Sequence, residues 1–115
     1  MEPGAHLASI EDFERIDMRV GRVTGVEELP GARRPAWKIT VDFGSEIGVR
    51  RSSAQITHYP AEALHGRLVV AVVNLPPRRI AGFASEVLVL GALDAEKGVV
   101  LLAPDEDCSP GDRIG

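Results

Sequence analysis

Apolar residues fall in short runs along this chain, and their spacing changes from one segment to the next. In "SIEDFERI", Ser9 stands three positions before Asp12 while Ile10 and Phe13 share a helical face, which predicts a capped, short amphipathic helix. "IDMRVGRV" alternates through Ile16, Met18 and Val20 and loses phase at Gly21, as a first strand bent at a glycine bulge would. "WKITVDF" sets Trp37, Ile39, Val41 and Phe43 on one side and Lys38, Thr40 and Asp42 on the other, a half-buried second strand. "GSE" reads as a turn, and "IGVRRSSAQI" begins apolar and becomes basic and polar, so the third strand should leave the core for a rim. Pro60 and Gly66 frame "YPAEALHG" as a two-turn helix. "RLVVAVVNL" and "EVLVLGAL" are unbroken apolar runs too short for typical helices, which predicts fourth and fifth strands covered on both faces. "GVVLLA" adds a last strand, and "PDEDCSPGD" an exposed acidic turn before a short tail.

Five short strands, with a small helix between the third and fourth, predict an all-β fold: an OB-fold, a five-stranded Greek-key barrel with a short N-terminal helix and a C-terminal strand extension. An SH3-like barrel is the alternative. Helical and doubly wound folds need long 3.6-residue periodicity, which the chain lacks. A length of 115 residues suits one domain, expected over 9–115 behind a flexible leader at 1–8. No run approaches the ~18 apolar residues of a membrane span, and the first residues lack the basic start and apolar centre of a signal peptide. Membrane insertion is therefore not expected, and the expected location is the cytoplasm.

Charge changes the picture. The formal net charge is −4, which taken alone argues against a polyanion as partner. Residues 33–79, however, hold eight basic side chains against three acidic ones, leaving five basic and fourteen acidic elsewhere. The positive charge is segregated, so a local basic surface can coexist with an acidic whole.

Its densest part is "NLPPRRIAGFASEVLVL", where Pro76 and Pro77 cannot donate backbone hydrogen bonds and stiffen the approach to Arg78 and Arg79. A solubilising pair on a turn is the plain reading of an isolated Arg-Arg. In an OB barrel this loop borders the face of strands two and three, so the pair should converge with Arg33, Arg34, Lys38, Arg50 and Arg51 into a groove attracting RNA phosphates. Beside these charges Ser52, Ser53, Gln55 and Asn74 can donate or accept, and Glu86 can either accept from a base or form an internal ion pair among the arginines. Trp37 keeps phase with the core, whereas Tyr59 and Phe83 are candidates for stacking or for rim packing. Catalytic alternatives are thin. His6, His58, His65 and the lone Cys108 show no zinc spacing, and a hydrolytic Ser85 would need tertiary proximity that no motif encodes. No metal, no cofactor and no catalytic residue is expected; Cys108, beside Asp105 and Asp107, should keep its proton.

"DMRVGRV", "GARRPAWKITVDFGSEIGVRRSSAQIT" and "VVNLPPRRIAGFASEVLVLG" together resemble the CsaA family of tRNA-binding domains, over roughly residues 11–115. The resemblance implies an OB-fold whose terminal extensions form a homodimer, kinship with the tRNA-binding appendages of methionyl- and phenylalanyl-tRNA synthetases, and an export-related chaperone role toward unfolded precursor proteins. By motif it implies an RNA-binding surface of Ser52, Ser53, Gln55, Asn74, Arg78, Arg79, Ser85 and Glu86, approached by Arg33, Arg34 and Lys38. Arg34 and Trp37 replace the family's usual lysine and tyrosine, Ala84 is smaller than usual, and "ITHYPAEAL" is one residue short, so no contact is transferred to His58 or Tyr59. As a peptide binder, the chain would instead offer Ile80, Phe83 and Ala84 as an apolar pocket, with arginines taking carboxylates.

Overall fold

The computed structural model describes residues 6–115, so the first five residues of the expected leader lie outside it. The described chain runs α1 (Ile10–Glu14), β1 (Met18–Glu28), β2 (Trp37–Asp42), α2 (Gly44–Ile47), β3 (Val49–Ala54), α3 (Ala61–Leu64), β4 (Leu68–Val72), β5 (Arg78–Ile80), β6 (Phe83–Ser85), β7 (Leu88–Val89), β8 (Gly91–Asp94) and β9 (Gly98–Leu101). Strands β3, β2, β1, β4 and β7 form one antiparallel sheet in that order. The sheet curls until β3 lies beside β6 and β7, giving a nearly closed five-stranded barrel of the OB type. The core is built from the alternating inward positions: Val23 of β1, Ile39 and Val41 of β2, Val69 and Ala71 of β4, with Phe43, Ile56 and Leu64 filling the ends.

Side chains replace backbone pairing at the closing edge. Glu86 N donates to Arg51 O at 2.8 Å, and the return bond from Arg51 N goes to the Glu86 carboxylate at 3.0 Å. Ser53 N donates to Ser85 Oγ at 3.0 Å, and the Ser52 hydroxyl donates to Val87 O at 3.0 Å. Residues 51–53 are thereby sewn to 85–87, and amides that would otherwise face a gap are satisfied.

Three sequence expectations are corrected. Gly21 is not the bulge: β1 and β2 shift register between Val23 and Gly25, and a Cβ at Gly21 would overlap the Val41 and Phe43 side chains that cross beneath it. "GSE" begins α2 rather than forming a simple turn. "EVLVLGAL" is not one strand covered on both faces; it splits into β7 and β8, and Leu93 is 87% exposed. Beyond Leu90 the chain leaves the sheet and turns into the β8–β9 hairpin, whose Val99 and Leu101 pack on the barrel core. β4 does meet the expectation, with four of its five residues buried.

The tail is ordered against β1, which sequence did not foresee. Val20 N donates to Asp112 O, Gly111 N to Val20 O and Ile114 N to Met18 O, so the tail covers the edge of β1 that β2 does not reach. Arg19 fastens this strap: Nε donates to Asp17 at 2.6 Å, and Nη1 to Glu46 at 3.0 Å and to Gly111 O at 3.1 Å. The hydrogen bond from Arg19 holds the Asp17 carboxyl below its ordinary 3.8, against the opposing effect of burial. A depressed carboxylate stabilises the fold above its unfolded value and loses that contribution as pH falls through the folded one. Asp17→Asn is therefore expected to cost about 1–2 kcal/mol at neutral pH, with the two melting temperatures converging as pH drops below 3.8.

Candidate nucleic-acid interface

Six of the eight cations of residues 33–79 arrive at one side of the barrel on three separate pieces of backbone. The loop between β1 and β2 carries Arg33 and Arg34, β2 and β3 present Lys38 and Arg51 from paired strands, and β5 supplies Arg78 and Arg79. Loop and hairpin are held together by a small apolar cluster apart from the main core, Leu29 and Ala36 from the loop against Phe83 from β6, with Ala32 and Ile80 at its margin. Arg33, Arg34, Arg78 and Arg79 then line one cleft, and Lys38, Arg51 and Arg79 line the adjoining one.

The β5–β6 hairpin is tightly defined. Arg78 pairs with Ser85, Arg79 with Ala84 and Ile80 with Phe83, leaving a two-residue turn at Ala81 and Gly82 with φ of 53° and 80°. Such turns match the twist of the strands, but Ala81 sits in a left-handed region that costs an alanine roughly 1–2 kcal/mol. The Arg79 guanidinium donates to Gly82 O at 3.2 Å, which braces it across the turn. Phe83 is a platform beneath the charges rather than a free stacking face: it is buried, with the Arg51 guanidinium 5.0 Å and the Lys38 ammonium 5.6 Å from its ring centre.

Not every expected residue joins. Strand alternation sets Arg51 and Ser53 toward the clefts and turns Arg50 and Ser52 to the other face, where Ser52 is 1% exposed and spends its hydroxyl on Val87 O. Arg50 lines none of the clefts described here. Asn74 is also turned away, accepting from Asp17 N at 2.9 Å and donating to Arg15 O at 2.8 Å, so its amide ties the start of the proline loop to the end of α1. Ser53, Gln55, Arg78, Ser85 and Glu86 line a third cleft that shares Ser53, Gln55 and Arg78 with the first. Of the apolar trio, Ile80 lines two of these clefts, while Phe83 and Ala84 line the cleft under Lys38 and Arg51. Leu29, Ala36, Leu75 and Leu88 were missed by sequence reasoning; the first two flank "PGARRP", and that apolar bracketing is the only signal that could have found them.

Electrostatically the surface is unusual. Among the described residues the ion pairs involve Arg15, Arg19 and Arg22, and none involves a cation lining these clefts. Nor does Glu86 pair with an arginine side chain; it bonds the Arg51 amide instead, so of its two alternative roles the internal ion pair is not formed. Unpaired guanidinium groups held on rigid backbone are prepared for phosphate or carboxylate at little ordering cost. Tyr59 is not a stacking face either, since its hydroxyl accepts from Leu101 N at 3.1 Å and its ring lies 5.2 Å under Arg67. Trp37 packs on the core and donates to Tyr59 O at 3.0 Å. Cys108 is pushed up from its ordinary 9.0 by burial and then by Asp112 and Asp107. Among the described residues, no group of three acidic, His or Cys side chains is placed to hold a metal, and no helix is long and apolar enough to cross a membrane.

The family described as Putative tRNA binding domain matches residues 18–113, the span of the barrel and its clefts. The CsaA chaperone of Picrophilus torridus is 47% identical, with a TM-score of 0.90 over 95% of this chain and 100% of that one. The CsaA chaperone of Bacillus anthracis is 50% identical, with a TM-score of 0.88 over 95% and 99%. This chain belongs to the CsaA family of tRNA-binding domains. The methionine–tRNA ligase of Nitrosomonas eutropha is 42% identical across 97% of this chain, but the match spans only 16% of the ligase. The chain thus spans about a sixth of the length of the curated ligases it resembles.

The satellite cluster gives a direct test of how the cations are held. Phe83→Ala should cost about 3 kcal/mol, as expected for removing a buried aromatic, and a denaturant titration would register it as a lower midpoint. Ala81→Asn, which suits the left-handed turn, should raise stability by up to about 1 kcal/mol.

Proposed function

We propose that this chain is a non-catalytic binding protein that takes up structured RNA, tRNA above all, on the arginine-lined face of its barrel, and that it does so as a homodimer. The observation that carries this reading is the gathering of Arg33, Arg34, Lys38, Arg51, Arg78 and Arg79 without one ion-pair partner among the described residues. Phosphates would displace counterions from this face, giving affinity that falls steeply with salt and depends little on sequence. Outside residues 33–79 the chain holds fourteen acidic and five basic residues, so the arginine-lined face is the one that draws a polyanion.

Dimerisation is supported by where apolar surface is left uncovered. Among the described residues ten large hydrophobic side chains stand exposed; four (Leu7, Ile10, Phe13, Ile16) lie on or beside α1 and three (Leu93, Val100, Leu102) on or beside the β8–β9 hairpin. Two copies joined over these segments would present two cationic faces, and linked contacts raise apparent affinity without a tight single site. Light scattering at micromolar protein should return twice the 12.3 kDa chain mass, and a monomeric mass would refute the pairing.

A second reading is favoured by the chaperone names of the two solved relatives: the same face would receive unfolded precursor polypeptides, with Ile80, Phe83 and Ala84 as the apolar element and the arginines holding carboxylates. Burial of Phe83 leaves Ile80 as the main apolar contact there. Salt separates the readings, because apolar contacts survive it while phosphate contacts do not.

Arg78→Ala and Arg79→Ala should each weaken tRNA binding and flatten the salt dependence by roughly 0.7 log unit per lost single-strand phosphate contact. Arg50→Ala, on the opposite face of β3, should leave tRNA titrations near the parent value. Equal curves for all three variants would reject this placement of the surface.

A further inference from the structure

The third cleft contains a feature that phosphate binding does not use. A carboxylate stands in it, beside a cationic surface, without an arginine partner: Glu86 Oε1 accepts from Arg51 N at 3.0 Å, and among the described residues no ion pair engages its other oxygen. That bond holds the side chain by one oxygen and leaves acceptor capacity on the other. Leu75, Pro76 and Leu88 supply apolar lining, and Gln55 and Arg78 line the same cleft. Leu75 and Leu88 are both left substantially exposed, at 40% and 49%. The cavity measures about 220 Å³, below the ~300–1,000 Å³ of sites for larger organic ligands and suited to a single ring system.

We infer that this cleft is a nucleobase subsite that selects guanine from an unstacked nucleotide of the bound RNA. The inference rests on the tRNA-binding reading above and names what that surface reads besides phosphate. An ionised carboxylate only accepts hydrogen bonds. Guanine is the base that offers it two adjacent donors, N1–H and the N2 amino group, while its O6 and N7 accept from an arginine. Adenine would turn its N1 lone pair toward the carboxylate and offers no carbonyl to Arg78. Cytosine and uracil each give one donor position on that edge and fill less of the space between the apolar walls. Stacking against Pro76 and the two leucines would cover the ring faces, and the neighbouring phosphates would fall within the cleft of Arg33, Arg34, Arg78 and Arg79.

The test uses the full chain and fluorescein-labelled RNA hexamers of uridine with one central guanosine, adenosine, cytidine or inosine, titrated by anisotropy at fixed low salt. The guanosine hexamer should bind about tenfold tighter than the adenosine one, the discrimination of one good two-point contact, with inosine, which lacks the N2 amino group, in between. Glu86→Gln retains an acceptor for the Arg51 amide and should erase the guanosine preference. Leu88→Trp, at a half-open wall position, should block the slot and lower guanosine binding to the level of the others, so the inference does not depend on one variant folding. Equal binding of all four hexamers, or a guanosine preference that survives both substitutions, overturns the subsite. If that equality is accompanied by loss of affinity in Arg79→Ala, the RNA-binding reading stands without it. If Arg79→Ala also binds unchanged, or if no hexamer and no tRNA binds at all, both fall.

Discussion

The arrangement of the clefts depends on a contact that carries no charge. Leu29 and Ala36 press the loop between β1 and β2 onto Phe83, and that contact sets how far Arg33 and Arg34 stand from Arg78 and Arg79. Like charges brought together repel, and in a folded chain something must oppose them. Burial of an aromatic ring contributes a few kcal/mol, and the same ring draws Lys38 and Arg51 toward its face. One residue thus joins two chain segments and positions a pair of cations.

A similar economy operates at the closing edge of the barrel. The polar residues that seemed made for ligands, Ser52, Ser85 and Glu86, are the ones that tie β3 to the end of β6 and the residues that follow it. Side chains can bridge a gap that two twisted strands cannot close with backbone alone, provided their geometry is fixed. Rigidity at the seam is passed to Arg51 and Arg78, which flank it. A cleft that is stiff before binding loses less entropy when it is filled.

The barrel was legible in sequence because its pattern is local. The alternation of Trp37 to Phe43, the capping box of Ser9 and Asp12, and the apolar run of β4 each reflect one element meeting one core. What was not legible is long-range. Nothing in "EVLVLGAL" says that the chain leaves the barrel at Leu90, and nothing in "SPGDRIG" says that its backbone pairs with β1, since both outcomes depend on where other strands stop. Cationic residues were found from charge density, yet Arg50 is excluded by strand parity, a distinction that requires knowing that Ser52 points inward. Asn74 and Glu86 were recognised as polar residues near the arginines, but whether a polar side chain faces a ligand or its own backbone is decided by tertiary contacts alone.

Asn74 gives that last point mechanical content. Both ends of its amide are committed to the backbone where α1 runs into β1, and the next three residues are Leu75 and the two prolines that lead to Arg78. There is little slack in such a linkage, because proline removes a torsion and the amide removes a rotation. The end of the helix and the start of the proline segment are thus moored at one residue, and the uncovered apolar side and the charged hairpin have an anchor in common.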